Sequence, residues 1–368
     1  MRYWKSYRMR LLPGLLVLVL LSACGGAPTA PEAAATVSPT ATATIASSAS
    51  SASTDQFNPD SEADSINFDQ LDTLLGPVPE ISRSYQVGVV LKFLGNQYWE
   101  LLAAGMRDQA DGYGITLDVR AAESEADQFG QLVRMDAMLE EGYDAILISP
   151  QTDTNLLPAV ERAEAADVLV LNVNDAVLPD AQHWVGPNQY ENGVRVARYL
   201  IETLPDGGQV AVIEGQAGVY AARQRTQGFR DTLQDTPFQV VAGIPADWDA
   251  QQAADAATAI LEQYPELKAF YCNNDIMALG VVDALKATGR LDTVMVFGTD
   301  GIDAAYASIR NGELTGTVDS FPFVTGQAAV EVLVRLLEDQ PVPRAVYSPQ
   351  NLITAANVDN PHQPVVQE

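Results

Sequence analysis

The sequence predicts an α/β fold assembled from parallel βα units. Beyond Tyr85, short apolar runs alternate with segments of helical periodicity, as strands and helices do around a parallel sheet. The apolar runs lie at 87–91, 145–148, 168–173, 210–213, 240–244, 269–271, 294–297 and 315–318. About eight strands in roughly 270 residues are more than one small core can hold. The pattern fits either two doubly wound lobes or one (β/α)₈ barrel.

Amphipathic helices are predicted between these strands. One helix places five apolar residues on a single face, at helical spacing: Trp99, Leu102, Ala103, Met106 and Ala110. A second helix does the same with Val194, Ala197, Ile201 and Leu204. A short helix is also predicted within 66–75.

The first 24 residues have the pattern of a secretory lipoprotein leader. Four basic residues within the first ten precede an apolar run over 11–21, which ends at Leu21-Ser22-Ala23-Cys24. This run is about a dozen residues long, shorter than the roughly 20 that span a bilayer. We expect 1–23 to be a signal peptide and Cys24 to carry a lipid anchor at the outer face of the cytoplasmic membrane. The alternative is an ordinary signal peptide with a chance cysteine.

Low-complexity sequence follows this leader. Residues 25–54 consist almost entirely of Ala, Ser, Thr, Pro and Gly, and Glu32 is their one charged residue. Because such a composition cannot bury a core, residues 24–84 are expected to form a disordered tether. Residues 359–368 are expected to form a tail.

The charge of the chain restricts its partners. The net charge is -27, and removing the leader, which carries four basic and no acidic residues, makes it -31. Such a surface repels nucleic acid, so we expect no nucleic-acid partner. The only other cysteine, Cys272, lies in an apolar stretch and is expected to be a buried thiol.

Five short segments carry a family resemblance. They are Asn-Gln-Tyr-Trp at 96–99, Ala-Ile-Leu-Ile-Ser-Pro at 145–150, Ala-Ala-Arg-Gln-Arg-Thr-Gln-Gly-Phe at 221–229, Asn-Asn-Asp-Ile-Met-Ala-Leu-Gly at 273–280 and Phe-Gly-Thr-Asp-Gly at 297–301. On these segments the chain resembles the periplasmic sugar-binding proteins of ABC transporters, in particular the ribose-binding and related pentose- and hexose-binding receptors.

The resemblance implies a type I periplasmic binding protein fold. This fold has two Rossmann-like, doubly wound lobes with parallel sheets, a three-segment hinge and a ligand cleft between the lobes. The implied amino-terminal lobe comprises 85–186 and 321–346, and the carboxyl-terminal lobe comprises 187–320 and 347–358. Hinge crossings are expected near 186–187, near 320–321 and around Tyr347. The cleft agrees with the rule that open α/β sheets bind ligands outside the carboxyl ends of their strands.

The resemblance also implies the ligand-binding residues. The matching positions, with Asp175 added as a neighbour of one of them, are Asn96, Tyr98, Trp99, Ser149, Asn174, Asp175, Arg225, Trp248, Asn274, Asp300 and Ser320. Amide groups both donate and accept hydrogen bonds, a carboxylate accepts from two hydroxyls, and a guanidinium presents a fork of donors. Aromatic rings can lie on the apolar faces of a sugar. The set therefore suits a polyhydroxylated ring.

Several of these residues have structural alternatives. Trp99 could serve core packing, Asn274 a helix cap, Arg225 the solvated surface and Asp300 a turn. One departure affects the ligand: many family members have an Asp-Arg pair after the third strand, where this chain has Asn174-Asp175. A sugar, a sugar alcohol, a cyclitol and a signalling furanose therefore all stay open.

An importer component is the expected function, with an ABC permease as partner, a sugar or polyol as ligand and the lipid anchor as the only membrane contact. No cofactor or metal is expected, and the chain is expected to be a monomeric non-enzyme. A carbohydrate-active enzyme is the first alternative, although neither His183 nor His362 lies in a nucleophile motif. A sensory receptor is the second alternative, and a transcriptional regulator is disfavoured by the leader and the acidity.

Overall fold

Two sheets carry the fold of residues 57–362, which are the residues that the computed structural model describes. The first sheet contains β1 (Ser65–Asn67), β2 (Gln86–Phe93), β3 (Thr116–Ala122), β4 (Ala145–Ile148), β5 (Leu169–Val173), β6 (Trp184–Gly186) and β12 (Ala345–Tyr347). All of its pairs are parallel, in the order β1-β12-β6-β5-β4-β2-β3.

The second sheet contains β7 (Gly208–Glu214), β8 (Phe238–Pro245), β9 (Ala269–Cys272), β10 (Met295–Asp300), β11 (Gly316–Asp319) and β13 (Asn351–Thr354). Their order is β13-β11-β10-β9-β7-β8. The pair β11 and β13 is antiparallel, with Gly316 opposite Thr354, and the other pairs are parallel.

Helices pack against both sheets. The first lobe has α1 (Leu71–Leu75), α2 (Gln97–Tyr113), α3 (Gln128–Glu141), α4 (Leu157–Ala165) and α10 (Pro322–Leu337), and the second has α5 (Gln189–Thr203), α6 (Tyr220–Leu233), α7 (Ala250–Gln263), α8 (Asp275–Thr288) and α9 (Asp303–Arg310). The main helix pairs are α2 with α10, α3 with α4, α5 with α6, and α7 with α8. A glycine permits the close packing of α2 on α10, since a Cβ on Gly105 of α2 would lie 1.9 Å from the Phe323 carbonyl oxygen of α10.

Local sequence explains why these elements form where they do. The strand β4 is buried at every residue, as expected of a parallel strand covered on both faces. The helix α2 begins where Asn96 accepts a hydrogen bond from the Tyr98 N–H (3.0 Å) and ends at Gly114, whose φ of 70° is left-handed. The five apolar residues predicted to share one face of α2 are all buried.

The chain crosses between the two sheets three times. The crossings lie at 187–188 between β6 and α5, at 320–321 between β11 and α10, and at 348–350 between β12 and β13. At the second crossing Phe321 has a φ of 42°, and its N–H donates to the Asp319 carboxylate (2.7 Å). The two-lobed arrangement is therefore confirmed, and the single barrel is excluded.

The segment 57–84 differs from the expected tether because it is folded. Its strand β1 extends the first sheet beside β12, and Phe57 and Leu71 are buried. Residues 66–75 do not form one helix, since β1 and a 3₁₀ turn (Phe68–Gln70) precede the five-residue α1. The strand β1 pairs with an edge of β12 that would otherwise be unpaired, and the segment buries two apolar side chains. These contacts explain why the segment is folded, which composition alone did not reveal.

The two ends of the chain are only partly described. In the expected tail, the Pro361 carbonyl accepts from Asn351 (2.6 Å) and the His362 ring stacks on Phe321, so 359–362 contact the second lobe and a crossing segment. The leader, Cys24 and residues 363–368 lie outside the described residues. Between residues 57 and 362, no helix combines the length and the apolar composition that crossing a bilayer requires.

Candidate ligand-binding site

A small cavity lies between the lobes at the carboxyl ends of both sets of strands. Its lining residues are Asn96, Tyr98, Trp99, Glu125, Asp175, Arg225, Trp248, Asn274 and Asp300. Eight of the eleven predicted site residues thus meet at one place, although they come from distant parts of the sequence. Their contact with a ligand stays a prediction.

The first lobe contributes an aromatic corner. Tyr98 and Trp99 lie in the first turn of α2, with ring centroids 5.1 Å apart in an edge-to-face arrangement. Glu125 accepts hydrogen bonds from Trp99 Nε1 (2.9 Å) and Asn96 Nδ2 (3.4 Å). Trp99 therefore fits both the core-packing alternative and the predicted site, because it packs in the core and also lines the cavity.

The second lobe contributes its polar groups from helix starts and strand ends. Asn274 caps α8 by accepting from the Met277 N–H (2.9 Å), and Asp300 is the last residue of β10, with a φ of 133°. Trp248 lies in the turn before α7. A Cβ on Gly215 would lie 2.0 Å from the Trp248 ring, so this glycine is needed for the indole to lie where it does. Asn274 thus combines its structural alternative with a place at the cavity.

Buried ionic groups join the lobes across the cavity. Asp175 of the first lobe lies 2.8 Å from Lys92 Nζ and 3.4 Å from Arg225 of the second lobe. Arg225 also lies 3.6 Å from Asp300 and donates to the Asn273 carbonyl (2.5 Å). The surface alternative for Arg225 is therefore wrong, because this guanidinium is almost fully buried.

The protonation of these acids differs with their neighbours. Burial acts to raise the pKa of Asp175, but Lys92 and Arg225 outweigh it and hold that pKa below its ordinary value. Burial raises the pKa of Asp300 well above its ordinary value, and the nearby carboxylates add to this effect against Arg225. Burial likewise raises the pKa of Glu125. Asp175 is thus the carboxylate that stays ionised most readily.

Two residues of this site were missed by the sequence analysis. Lys92 lies in β2, fully buried, with its Nζ 5.5 Å from the Trp99 ring centroid and 5.8 Å from that of Trp248. A lysine at the end of an otherwise apolar strand was the available signal. Glu125 follows β3, a strand that the apolar runs did not predict, so the loop that carries it was not assigned to the cleft.

Three predicted residues do not line the cavity. Ser149, Asn174 and Ser320 are buried, and the hydroxyls of the two serines have no hydrogen-bond partner within residues 57–362. Asn174 instead contacts its neighbours, because its Oδ1 accepts from Gln189 Nε2 (3.1 Å) and its Nδ2 donates to Asp175 (3.4 Å). Asn174 therefore contacts the ionic network from outside the cavity lining.

Further contacts hold the lobes together at the rim of the cavity. Gln97 of α2 donates to the Asp303 carboxylate (2.7 Å) and accepts from the Asp303 N–H (2.8 Å). On another side of the lobe interface, Arg223 of α6 donates to Asp153 of the first lobe (2.6 Å). The lobes are thus closed on each other.

The cavity has the chemistry of a binding site. The Tyr98 hydroxyl and Trp248 Nε1 are buried and have no partner among the described residues, so both can donate to a ligand. Carboxylates, amides, a guanidinium and two indoles line the same cavity. Over residues 57–362, no group of three or more His, Cys, Asp or Glu side chains is placed to hold a metal ion.

The periplasmic binding protein domain family matches residues 87–341, which is more than half of the chain. The chain belongs to this family. The family match confirms the predicted resemblance. Residues 57–86, which include β1 and α1, precede the matched part.

Individual relatives agree with this assignment. The D-allose-binding periplasmic protein of Escherichia coli (strain K12) is 32% identical over 259 residues, covering 68% of this chain and 83% of the relative. A putative rhizopine-binding protein of Rhizobium meliloti is 31% identical over 282 residues, covering 74% of this chain and 91% of the relative. A solved ABC transporter periplasmic solute-binding protein of Actinobacillus succinogenes 130z with bound D-allose superposes with a TM-score of 0.71 and 27% identity, covering 75% of this chain and all of that one.

Proposed function

We propose that this protein is the extracytoplasmic solute-binding component of an ABC importer and binds a sugar or a related polyol between its lobes. One observation carries the proposal: Asp175 of the first lobe, Arg225 and Asp300 of the second lobe and two indole walls meet at a single closed cavity. A ligand held there touches both lobes. It therefore favours the closed arrangement by its differential affinity.

The lining suits hydroxyl groups on a compact ring. Asp175 and Glu125 can accept from hydroxyls, Arg225 can donate to ring or hydroxyl oxygens, and amide side chains can do both. The cavity is small and lined by residues of both lobes, which favours a compact ligand over an oligosaccharide. The ligand named for one of these relatives, D-allose, supports a hexose as the first choice.

The surroundings of the site complete the proposal. We infer that the closed form docks on a membrane permease, while an acylated Cys24 and the low-complexity sequence after it hold a monomeric receptor at the outer face of the membrane. The chain would need no cofactor and would release its ligand chemically unchanged.

A thermal-shift panel tests the proposal. Purified protein is screened against D-allose and other hexoses, pentoses, inositols, polyols and amino acids, because a ligand that binds only the native state raises the melting temperature. Titration calorimetry then measures the affinity of each positive compound. If no sugar or polyol shifts the melting temperature, sugar binding is wrong, and if a bound sugar is turned over on prolonged incubation, the enzyme alternative replaces the receptor.

A further inference from the structure

The segment that precedes the family match lies across both lobes. We call residues 57–62 the strap. On the first lobe, the Phe57 N–H donates to the Pro179 carbonyl (3.0 Å), and the Phe57 ring lies 4.0 Å below the Arg344 guanidinium. The Tyr347 hydroxyl, at the end of β12, donates to the Pro59 carbonyl. One side of the strap is thus fixed to the first lobe beside the third crossing.

The other side of the strap contacts the second lobe. The Asp60 carboxylate accepts from the Gln189 N–H (3.1 Å) and the Tyr190 N–H (2.9 Å), which are free donors in the first turn of α5. The Tyr220 hydroxyl, at the start of α6, contacts Asn58 Oδ1 and the Asp60 N–H (3.2 Å). Opening of the lobes must therefore break the contacts on one side or stretch the strap.

A short chain of contacts leads from the strap to the cavity. Gln189, whose N–H donates to Asp60, accepts from Arg225 Nε with its side-chain oxygen (2.8 Å). Its side-chain nitrogen donates to Asn174 (3.1 Å), which in turn contacts Asp175. The position of α5 relative to the first lobe thus sets the position of the guanidinium that lines the cavity.

We propose that the strap holds the lobes in the ligand-gripping arrangement and that Asp60 is a positioning residue for Arg225, acting through Gln189. For its affinity readout this inference rests on the proposed function. Each strap contact with the second lobe stabilises the closed form only. The strap therefore raises ligand affinity without touching the ligand. The segment that precedes the family match is thereby part of the closing device.

The test compares Asp60→Ala with Glu62→Ala in the full chain. Glu62 is a matched control, because it belongs to the strap but, among residues 57–362, its carboxylate contacts the first lobe, through Arg344 (3.5 Å) and the Asp64 N–H (3.1 Å). Stopped-flow fluorescence measures association and dissociation of D-allose, or of the panel sugar with the largest thermal shift. Hydrogen exchange of the sugar-free proteins measures the protection of the α5 amides at 189–192.

We expect Asp60→Ala to weaken sugar binding about tenfold, mainly through faster dissociation, because two hydrogen bonds to a charged group are lost from the closed form. Exchange at 189–192 should rise in the same variant. Asp60→Asn, which keeps one acceptor oxygen, should recover part of the affinity. Glu62→Ala should bind within about twofold of the wild type, since such partly exposed pairs contribute little.

The two proposals fail in different ways. If the wild type binds no sugar or polyol, the proposed function is wrong. The hydrogen-exchange measurement at 189–192 then decides alone whether the strap proposal holds. If Asp60→Ala matches Glu62→Ala in dissociation rate and in exchange at 189–192, the strap proposal is overturned. A lower melting temperature with unchanged dissociation and exchange also overturns it, because that result shows a purely structural contribution.

Discussion

Arg225 and Asp175 lie 3.4 Å apart and belong to different lobes, so one ion pair spans the cleft at the cavity. Both side chains are buried, and Lys92 and Asp300 extend the pair to four groups. Buried charges at such a position are costly unless each has its partner. The closed form and the binding site therefore depend on the same side chains.

Replacing Arg225 should abolish binding. We expect Arg225→Ala to lower sugar affinity by more than about 100-fold and to cost roughly 3–5 kcal/mol of stability, because Asp300 loses its buried counter-charge and Asp175 keeps only that of Lys92. Titration calorimetry and chemical denaturation measure the two effects. Arg230→Ala is the control, since Arg230 lies on the same helix but pairs at the surface with Glu214. Equal affinities in the two variants would contradict the assignment of Arg225.

Asp300 should contribute directly to ligand binding. We expect Asp300→Ala to weaken sugar binding by about 1.5–3 kcal/mol, the range for a hydrogen bond that involves a charged group. Calorimetry measures the loss, with Asp292→Ala, at an exposed loop position, as the control. An unchanged affinity would remove Asp300 from the site.

The stability of the protein should fall as the pH rises toward neutrality. Burial raises the pKa of Asp319 to about 7 and that of Asp275 to about 6, above the ordinary value of 3.8 that applies to the unfolded chain. The folded state therefore binds these protons more tightly, and the stability gained below about pH 4 is lost as the pH rises through 6 and 7. Asp319 alone corresponds to on the order of 4 kcal/mol at most.

Chemical denaturation between pH 4 and pH 8 checks this dependence. Asp319→Asn should flatten the decline in the free energy of unfolding between about pH 5 and pH 7, because the substituted amide does not titrate. Asp292→Asn should leave the profile unchanged. A wild-type profile that rises over this interval, or a decline that is as steep in Asp319→Asn as in the wild type, would contradict the assignment.

The rim contact between Gln97 and Asp303 should slow ligand release. We expect Gln97→Ala to raise the dissociation rate of a bound sugar about three- to tenfold with little change in association, because two interlobe hydrogen bonds exist only in the closed form. Stopped-flow fluorescence measures both rates. Gln109→Ala is the control, since the Gln109 side chain lies on the same helix and contacts Tyr113 within it. Equal dissociation rates in the two variants would rule out the rim contact.

The apolar runs predicted most of the buried strands, such as β4, because residues covered on both faces of a sheet are apolar without interruption. They also predicted the partly exposed edge strand β8 and did not predict the buried β13. Elements without that signal were missed: β3 carries polar residues such as Asp118 and Arg120, and β6 has only three residues. The site residues were predicted by family resemblance and not by periodicity, since Asp175 and Arg225 meet only when two lobes close. Lys92 was missed because its place in the site depends on its ion pair with Asp175, which lies 83 positions later in the sequence.

The last strands of the chain divide between the sheets, since β12 belongs to the first lobe and β13 to the second. Neither lobe is therefore encoded by one continuous stretch of sequence. During synthesis, both sheets must wait for the final few dozen residues before they are complete. Each lobe therefore keeps an incomplete sheet until synthesis is nearly finished, so the two lobes complete their folding together.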